Sequence, residues 1–200
     1  MKTLIGTPIH ICKDYSMERW LDNVAKLQKV SPADLLLVDN SPGTEYVEKV
    51  RGYCEKYGVQ NYRIEHLDLP EEQKVFERVA RSREVIRKHT LSHDYDTWFS
   101  WECDQIIPTD ALDKLVQIMK IENCMMVIHN SWARWNPDIL NTNMGCTLIK
   151  RECLEKYGFL PYISNIDPEN EIIFKERVLK GGDNYIEVYG IITPIVHLNL

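Results

Sequence analysis

Residues 97–108 read TWFSWECDQIIP, an apolar run that ends by presenting Glu102 and Asp104 one residue apart. Two carboxylates at the tip of a buried strand repel each other, and partial burial sharpens the repulsion, so a cation is the natural way to make the arrangement tolerable. Carboxylate oxygens are hard ligands suited to Mg²⁺ or Mn²⁺, ions that keep waters and complete their shells with substrate phosphates. Spacing alone does not select this pair. About four acid-x-acid triplets are expected by chance at this acid content, and the chain has four: Asp94/Asp96, Glu102/Asp104, Asp167/Glu169 and Glu169/Glu171. Glu102/Asp104 follows an apolar strand directly, whereas the others stand in polar surroundings that suit solvated loops or helix faces.

The elements that must hold this pair can be read from the rest of the chain. TLIGTPIHI suits a strand, and Met17, Trp20, Leu21, Val24 and Leu27 then recur at helical spacing behind Ser16 as a cap. DLLLVD is a continuous apolar run closed by the turn residues NSPGT, followed by a helix marked by Val47, Val50 and Tyr53 or Cys54. NYRIEHL alternates as a strand. PEEQKVFERVARSREVIRKHTL opens with Pro and two glutamates, as helix starts do, and carries a stripe at Val75, Val79, Ser82 and Ile86. After the acidic strand, PTDALDKLVQIMK reads as a helix capped by Thr109, and CMMVIHN as another strand. Strands alternating with helices predict a mostly parallel α/β sheet flanked by helices, whose ligands bind beyond the carboxyl ends of the strands, where Asp39 and Glu102/Asp104 fall.

Composition narrows the classes. With 200 residues, 44% hydrophobic and 27% charged, the chain suits one core and one domain. A net charge of −6 argues against nucleic acid as partner. No apolar run approaches the ~18 residues of a membrane span, and Lys13 interrupts the N-terminal run before a signal core develops, so the expectation is a soluble, cytoplasmic protein. The six cysteines show neither a C-x-x-C pair nor zinc spacing and read mainly as reduced, packed thiols.

Taken in order along the chain, these segments resemble the GT-A glycosyltransferases, especially the large inverting family (family 2-like) that builds polysaccharides and decorates lipids from nucleotide-sugars. GTPIHICKD resembles the family's first nucleotide-binding turn, with Thr7 and Pro8 in place and its asparagine absent. LLLVDNSPGT is similar to the V-D-[DN]-x-S strand end, ARSR to the A-R-N segment with Ser82 in place of Asn, and WFSWECDQIIP to the D-x-D strand. NMGCTLIKRECLEKYGF looks like the strand and helix lining the donor-sugar side. NEIIFKERVLKGG looks like the E-D-x-D-x-x-x-R-x-x-x-x-G helix, with Asn170 and Ile173 replacing its first and third acids, and TPIVHLNL like the terminal strand that brings a histidine to the metal.

The resemblance implies a GT-A (Rossmann-like) domain over 1–200, with a nucleotide-binding half at about 1–105 and a donor-sugar and acceptor half at about 106–200. It implies transfer of a sugar from a nucleoside-diphosphate sugar to an acceptor hydroxyl on a glycan, lipid or protein, with inversion. Donor contacts fall to Thr7, Pro8, Asp39, Arg81 and Gly145, Mn²⁺ or Mg²⁺ to Glu102, Asp104 and His197, and the catalytic base to Glu171. Each residue also has a plainer use: Asp39 in a turn, Arg81 on a solvated helix face, Glu171 at a helix start, His197 within a strand. Trp132 and Trp135 suit packing at the core edge, with sugar stacking as the other use. The rivals are a nucleotidylyltransferase, whose glycine-rich first loop is missing here, and a sugar-nucleotide-binding module of the same fold without turnover.

Overall fold

The computed structural model describes residues 1–70, 72–129, 131–133, 136–141, 144–161 and 170–199, with only the backbone described over 131–133 and 136–141 and at 170. The chain opens with β1 (Thr3–Ile9), α1 (Asp14–Val30), β2 (Asp34–Asp39), α2 (Glu45–Tyr57), β3 (Tyr62–His66), α3 (Val75–Ser92) and β4 (Thr97–Trp101). It continues through β5 (Gln105–Ile106), α4 (Ala111–Glu122), β6 (Met126–His129), β7 (Ser131–Ala133), β8 (Asn136–Asn141) and β9 (Cys146–Lys150). The last elements are α5 (Arg151–Lys156), α6 (Asn170–Lys180), β10 (Tyr185–Val188) and β11 (Val196–His197).

Seven strands form the central sheet in the order β10-β6-β9-β4-β1-β2-β3. β1 pairs in parallel with both β2 and β4, β2 with β3, and β6 with β10, while β9 enters antiparallel between β4 and β6. The strand order reverses at β1, so the β1/β4 boundary is the topological switch point, beyond whose carboxyl ends α/β sheets bind ligands.

Central strands read as unbroken apolar runs because both faces are covered. Alternate residues divide between two cores: Ile5, Leu35, Leu37 and Phe99 pack with residues of α1, α2 and α4, while Leu4, Leu36, Val38 and Trp98 pack with residues of α3, α5 and α6. Gly6 lets α3 lie close on β1, since a Cβ there would run into Ile86 Cγ2 and the Trp98 indole, whose Nε1 donates to the Gly6 carbonyl at 2.9 Å. Pro8 is accommodated in this central strand because β1 runs along β2 alone past its last paired residue with β4, Gly6.

Three helix starts differ from the sequence expectation. α1 begins at Asp14, and Ser16 lies inside its first turn, donating to the Lys13 carbonyl at 2.8 Å instead of capping. α4 begins at Ala111 behind Asp110, so Thr109 is not its cap. α3 begins at Val75, beyond the Pro70–Gln73 turn closed at 3.1 Å, because Pro70 and Glu72 mark a local turn as readily as a helix start. Val75 is exposed, while Ser82 and Ile86 carry the buried face. All six cysteines are free thiols, and all but Cys12 are buried. Among the described residues no helix is long and apolar enough to cross a membrane.

Candidate functional site

The carboxyl ends of β1, β2 and β4 each carry one part of the site. β1 passes into a single helical turn at Ile11–Lys13, where the His10 imidazole accepts the Cys12 N–H at 3.2 Å. This turn is tied to the neighbouring β2 loop by the Ile11 N–H, which donates to Ser41 Oγ at 2.8 Å, and by the Asn40 N–H on the Ile9 carbonyl at 3.1 Å. Thr7 is buried and donates its hydroxyl to the Trp101 carbonyl at 2.7 Å, fixing the end of β1 against the end of β4.

Asp39 ends β2 completely buried, and its carboxylate is held on both oxygens. Oδ1 accepts the Ser41 N–H at 3.1 Å and the Ser41 hydroxyl at 2.6 Å, and Oδ2 meets His66 Nδ1 at 2.8 Å across the β2/β3 register. The Ser41 contacts are turn chemistry; His66 adds a polar group at the sheet's carboxyl edge. Asn40 reaches α3, donating to Ser82 Oγ at 2.9 Å, so Ser82 anchors the β2 loop.

The acidic pair splits into two environments. Glu102 is partly exposed, accepts Gln105 Nε2 at 3.0 Å, and donates its backbone N–H to the Gly145 carbonyl at 3.0 Å, which sets Gly145 beside the tip of β4. Asp104 is 1% exposed, and its Oδ2 receives the Lys13 ammonium and, at 3.4 Å, the Tyr15 hydroxyl. The C-terminal segment closes over this turn. β11 pairs antiparallel with β5, opposing His197 to Gln105, and the Leu198 N–H donates to the Asp104 carbonyl at 2.8 Å. Lys13, from the turn after β1, and the β11 segment that carries His197 therefore both meet the turn holding Asp104 beyond β4.

Arg81 and Glu171 stand apart from that turn. Arg81 lies on the exposed side of α3 and pairs with Glu77 of its own helix at 2.8 Å. Arg83 instead turns inward and meets Glu171 on α6 at 2.6 Å. Sequence reasoning missed Lys13, His66 and Arg83. For Arg83 a signal existed: it stands three residues before Ile86 and four after Val79, on the stripe already recognised, whereas Arg81 falls off it. Trp135 and the Trp132 side chain lie outside the described residues.

Asp104 and Glu102 supply hard oxygens and His197 an imidazole, a donor set that suits Mg²⁺ or Mn²⁺. Among the described residues no three His, Cys, Asp or Glu side chains form a group that could hold a metal ion by themselves, so Glu102, Asp104 and His197 do not converge as a three-residue site. An ion that uses one or two carboxylates plus waters and substrate phosphates needs no such site, and a buried carboxylate already facing a cation is a suitable first ligand. The residues present therefore fit such an ion.

No protein-family model and no curated protein matches the sequence. Solved structures do match the fold. A mannosyltransferase from Pyrobaculum calidifontis, PcManGT in complex with GDP-Man and Mn²⁺, superposes with a TM-score of 0.69 at 14% identity over 95% of this chain and 55% of its own. TarS of S. aureus gives 0.65 at 13% identity over 95% of this chain and 35% of its own, and TarS 1-349 in complex with UDP-GlcNAc gives 0.65 at 12% over 95% and 58%. The chain thus spans between about a third and three fifths of the length of these neighbours. At such identities the likeness concerns the fold, and the fold of this chain, a mostly parallel sheet flanked by helices, is the GT-A fold of glycosyltransferases.

Proposed function

We propose that this protein is a glycosyltransferase moving a sugar from a nucleoside-diphosphate sugar to an acceptor hydroxyl, with inversion, in one domain spanning residues 1–200. The observation that carries this reading is the gathering of Asp39, Lys13, Asp104 and His197 at the carboxyl edge, beside the switch point. The fold likeness to proteins crystallised with GDP-Man and with UDP-GlcNAc supports the donor class.

In this reading Asp39, braced by Ser41 and His66, receives the base, while Thr7 and Pro8 shape the floor and Gly145 the sugar side. Arg81 reaches the phosphates by leaving Glu77. Asp104, with Glu102 and His197, holds Mn²⁺ or Mg²⁺. A divalent cation at this position supplies stabilisation of the charge that develops on the leaving diphosphate. Glu171 takes the proton from the acceptor hydroxyl as its oxygen bonds to the anomeric carbon; the bond from that carbon to the diphosphate oxygen breaks, and the diphosphate leaves with the electron pair. Arg83 orients the Glu171 carboxylate. The acceptor is a glycan, a lipid or a protein.

One observation favours a second reading, a sugar-nucleotide-binding module without turnover: the acid assigned as base already has an arginine partner. The two readings separate in a thermal-shift screen of nucleoside diphosphates and nucleotide-sugars with and without Mn²⁺, followed by mass spectrometry of acceptor mixtures. A ligand at a hundred times its Kd adds about 2.7 kcal/mol, a shift of roughly 5–10 °C for a chain of this size. Both readings expect that shift to require Mn²⁺ and to vanish in Asp104→Ala. Glycosylated product supports transfer, a metal-dependent shift without product supports the module, and no shift with any diphosphate removes both.

A further inference from the structure

Asp104 is an enclosed acid of the site, with 2% of its side chain exposed, and it faces the Lys13 ammonium. The partners are unequal. The Lys13 side chain is 34% exposed and its ammonium sits on a flexible four-carbon stem, whereas Asp104 is fixed by the β5/β11 ribbon and by the Leu198 N–H on its carbonyl. An ionised buried carboxylate is costly unless a cation or hydrogen-bond donors compensate it, and at Asp104 the Lys13 ammonium is such a partner. Two cations cannot share one carboxylate oxygen without repelling each other.

We propose that Lys13 is the resident counter-ion of Asp104 and gates the divalent cation: the ammonium occupies the acid while no metal is present and swings off when one enters. This rests on the reading of Asp104 as a metal ligand. The backbone of the Ile11–Lys13 turn is pinned to Ser41 and His10, so the movement is confined to the Lys13 side chain, which remains beside the site with its charge released. The released charge faces the space a diphosphate would fill. Donor and metal thereby reinforce each other, since the diphosphate offers Lys13 a new anionic partner and lowers the electrostatic penalty for vacating Asp104.

The test is Mn²⁺ binding to the full chain, measured by electron paramagnetic resonance of the free ion without nucleotide. Lys13→Met should bind Mn²⁺ about tenfold more tightly than wild type, and Lys13→Arg no more tightly than wild type. Asp104→Asn should lose the site. Equal affinity in wild type and Lys13→Met, with loss in Asp104→Asn, overturns the gate and leaves the metal site standing. Absence of Mn²⁺ binding in all of them overturns both. Because removing the counter-ion of a buried acid can impair folding, a second measurement uses wild type alone. Mn²⁺ should raise acylation of Lys13 by an amine-selective reagent several-fold, read by peptide mass spectrometry. Unchanged labelling at saturating Mn²⁺ overturns the gate independently.

Discussion

Arg83 on α3 and Glu171 on α6 form an ion pair at 2.6 Å, with 4% and 10% of the respective side chains exposed. Removing one partner of such a pair strands a buried charge, which costs about 3–5 kcal/mol, whereas replacing both by apolar residues is often neutral. Arg83→Met and Glu171→Leu should each lower the urea midpoint strongly, and the double substitution should recover most of the loss. If Glu171 is also the base, the refolded double variant binds donor and has lost about 10²–10⁴ in transfer rate. A double variant with the wild-type rate would leave Glu171 a purely structural acid.

How much of this was legible beforehand depends on how local each signal is. The apolar runs of β2 and β4, ended by NSPGT and by Glu102, announce themselves through short-range patterning and turn chemistry, and the acids at their tips follow. β9 is read as a strand through the resemblance of NMGCTLIKRECLEKYGF, but its antiparallel entry between β4 and β6 is decided by pairing partners that no local pattern reveals. The β5/β11 ribbon has two residues in each strand, too few for periodicity, yet it sets His197 opposite Gln105, the residue after Asp104. Lys13 reads as one more charge in a loop until the fold sets Asp104 opposite it. Arg81 drew attention through its motif, while Arg83 was chosen for burial by helical phase together with an acid 88 positions later.

Acid sensitivity has a specific source in His129. It is buried on β6, its Nε2 accepts the Ile192 N–H at 3.2 Å, and burial lowers its pKa from the ordinary value of 6.5. The unfolded chain therefore takes up a proton near pH 6.5 while the folded chain resists until lower pH. Stability from this group is complete above about 6.5 and is lost as pH falls toward the lowered value, by up to about 1.4 kcal/mol per pH unit. Burial also lowers His10 and His89, which add in the same direction. Urea midpoints should fall between pH 7 and 5.5, above the window in which carboxylates such as Glu77 and Asp183 titrate. His129→Gln should flatten that fall; an unchanged slope would mean that His129 does not carry it.

Cys12 gives a probe inside the site. It stands next to Lys13 in the turn after β1 and is the exposed cysteine; burial pushes Cys54 and Cys153 up to about 12 and raises Cys103, Cys124 and Cys146 as well. Only a thiolate attacks a disulfide reagent, so at pH 8 the native protein should show one fast thiol, and all six after denaturation. Cys12→Ser should remove the fast phase. Because the same turn carries Lys13 to Asp104, a bound nucleoside diphosphate with Mn²⁺ should cover Cys12 and slow its reaction about tenfold or more. A nucleotide that stabilises the fold but leaves the Cys12 rate unchanged would bind away from this turn, and the assignment of the donor phosphates to the β1/β4 boundary would be wrong.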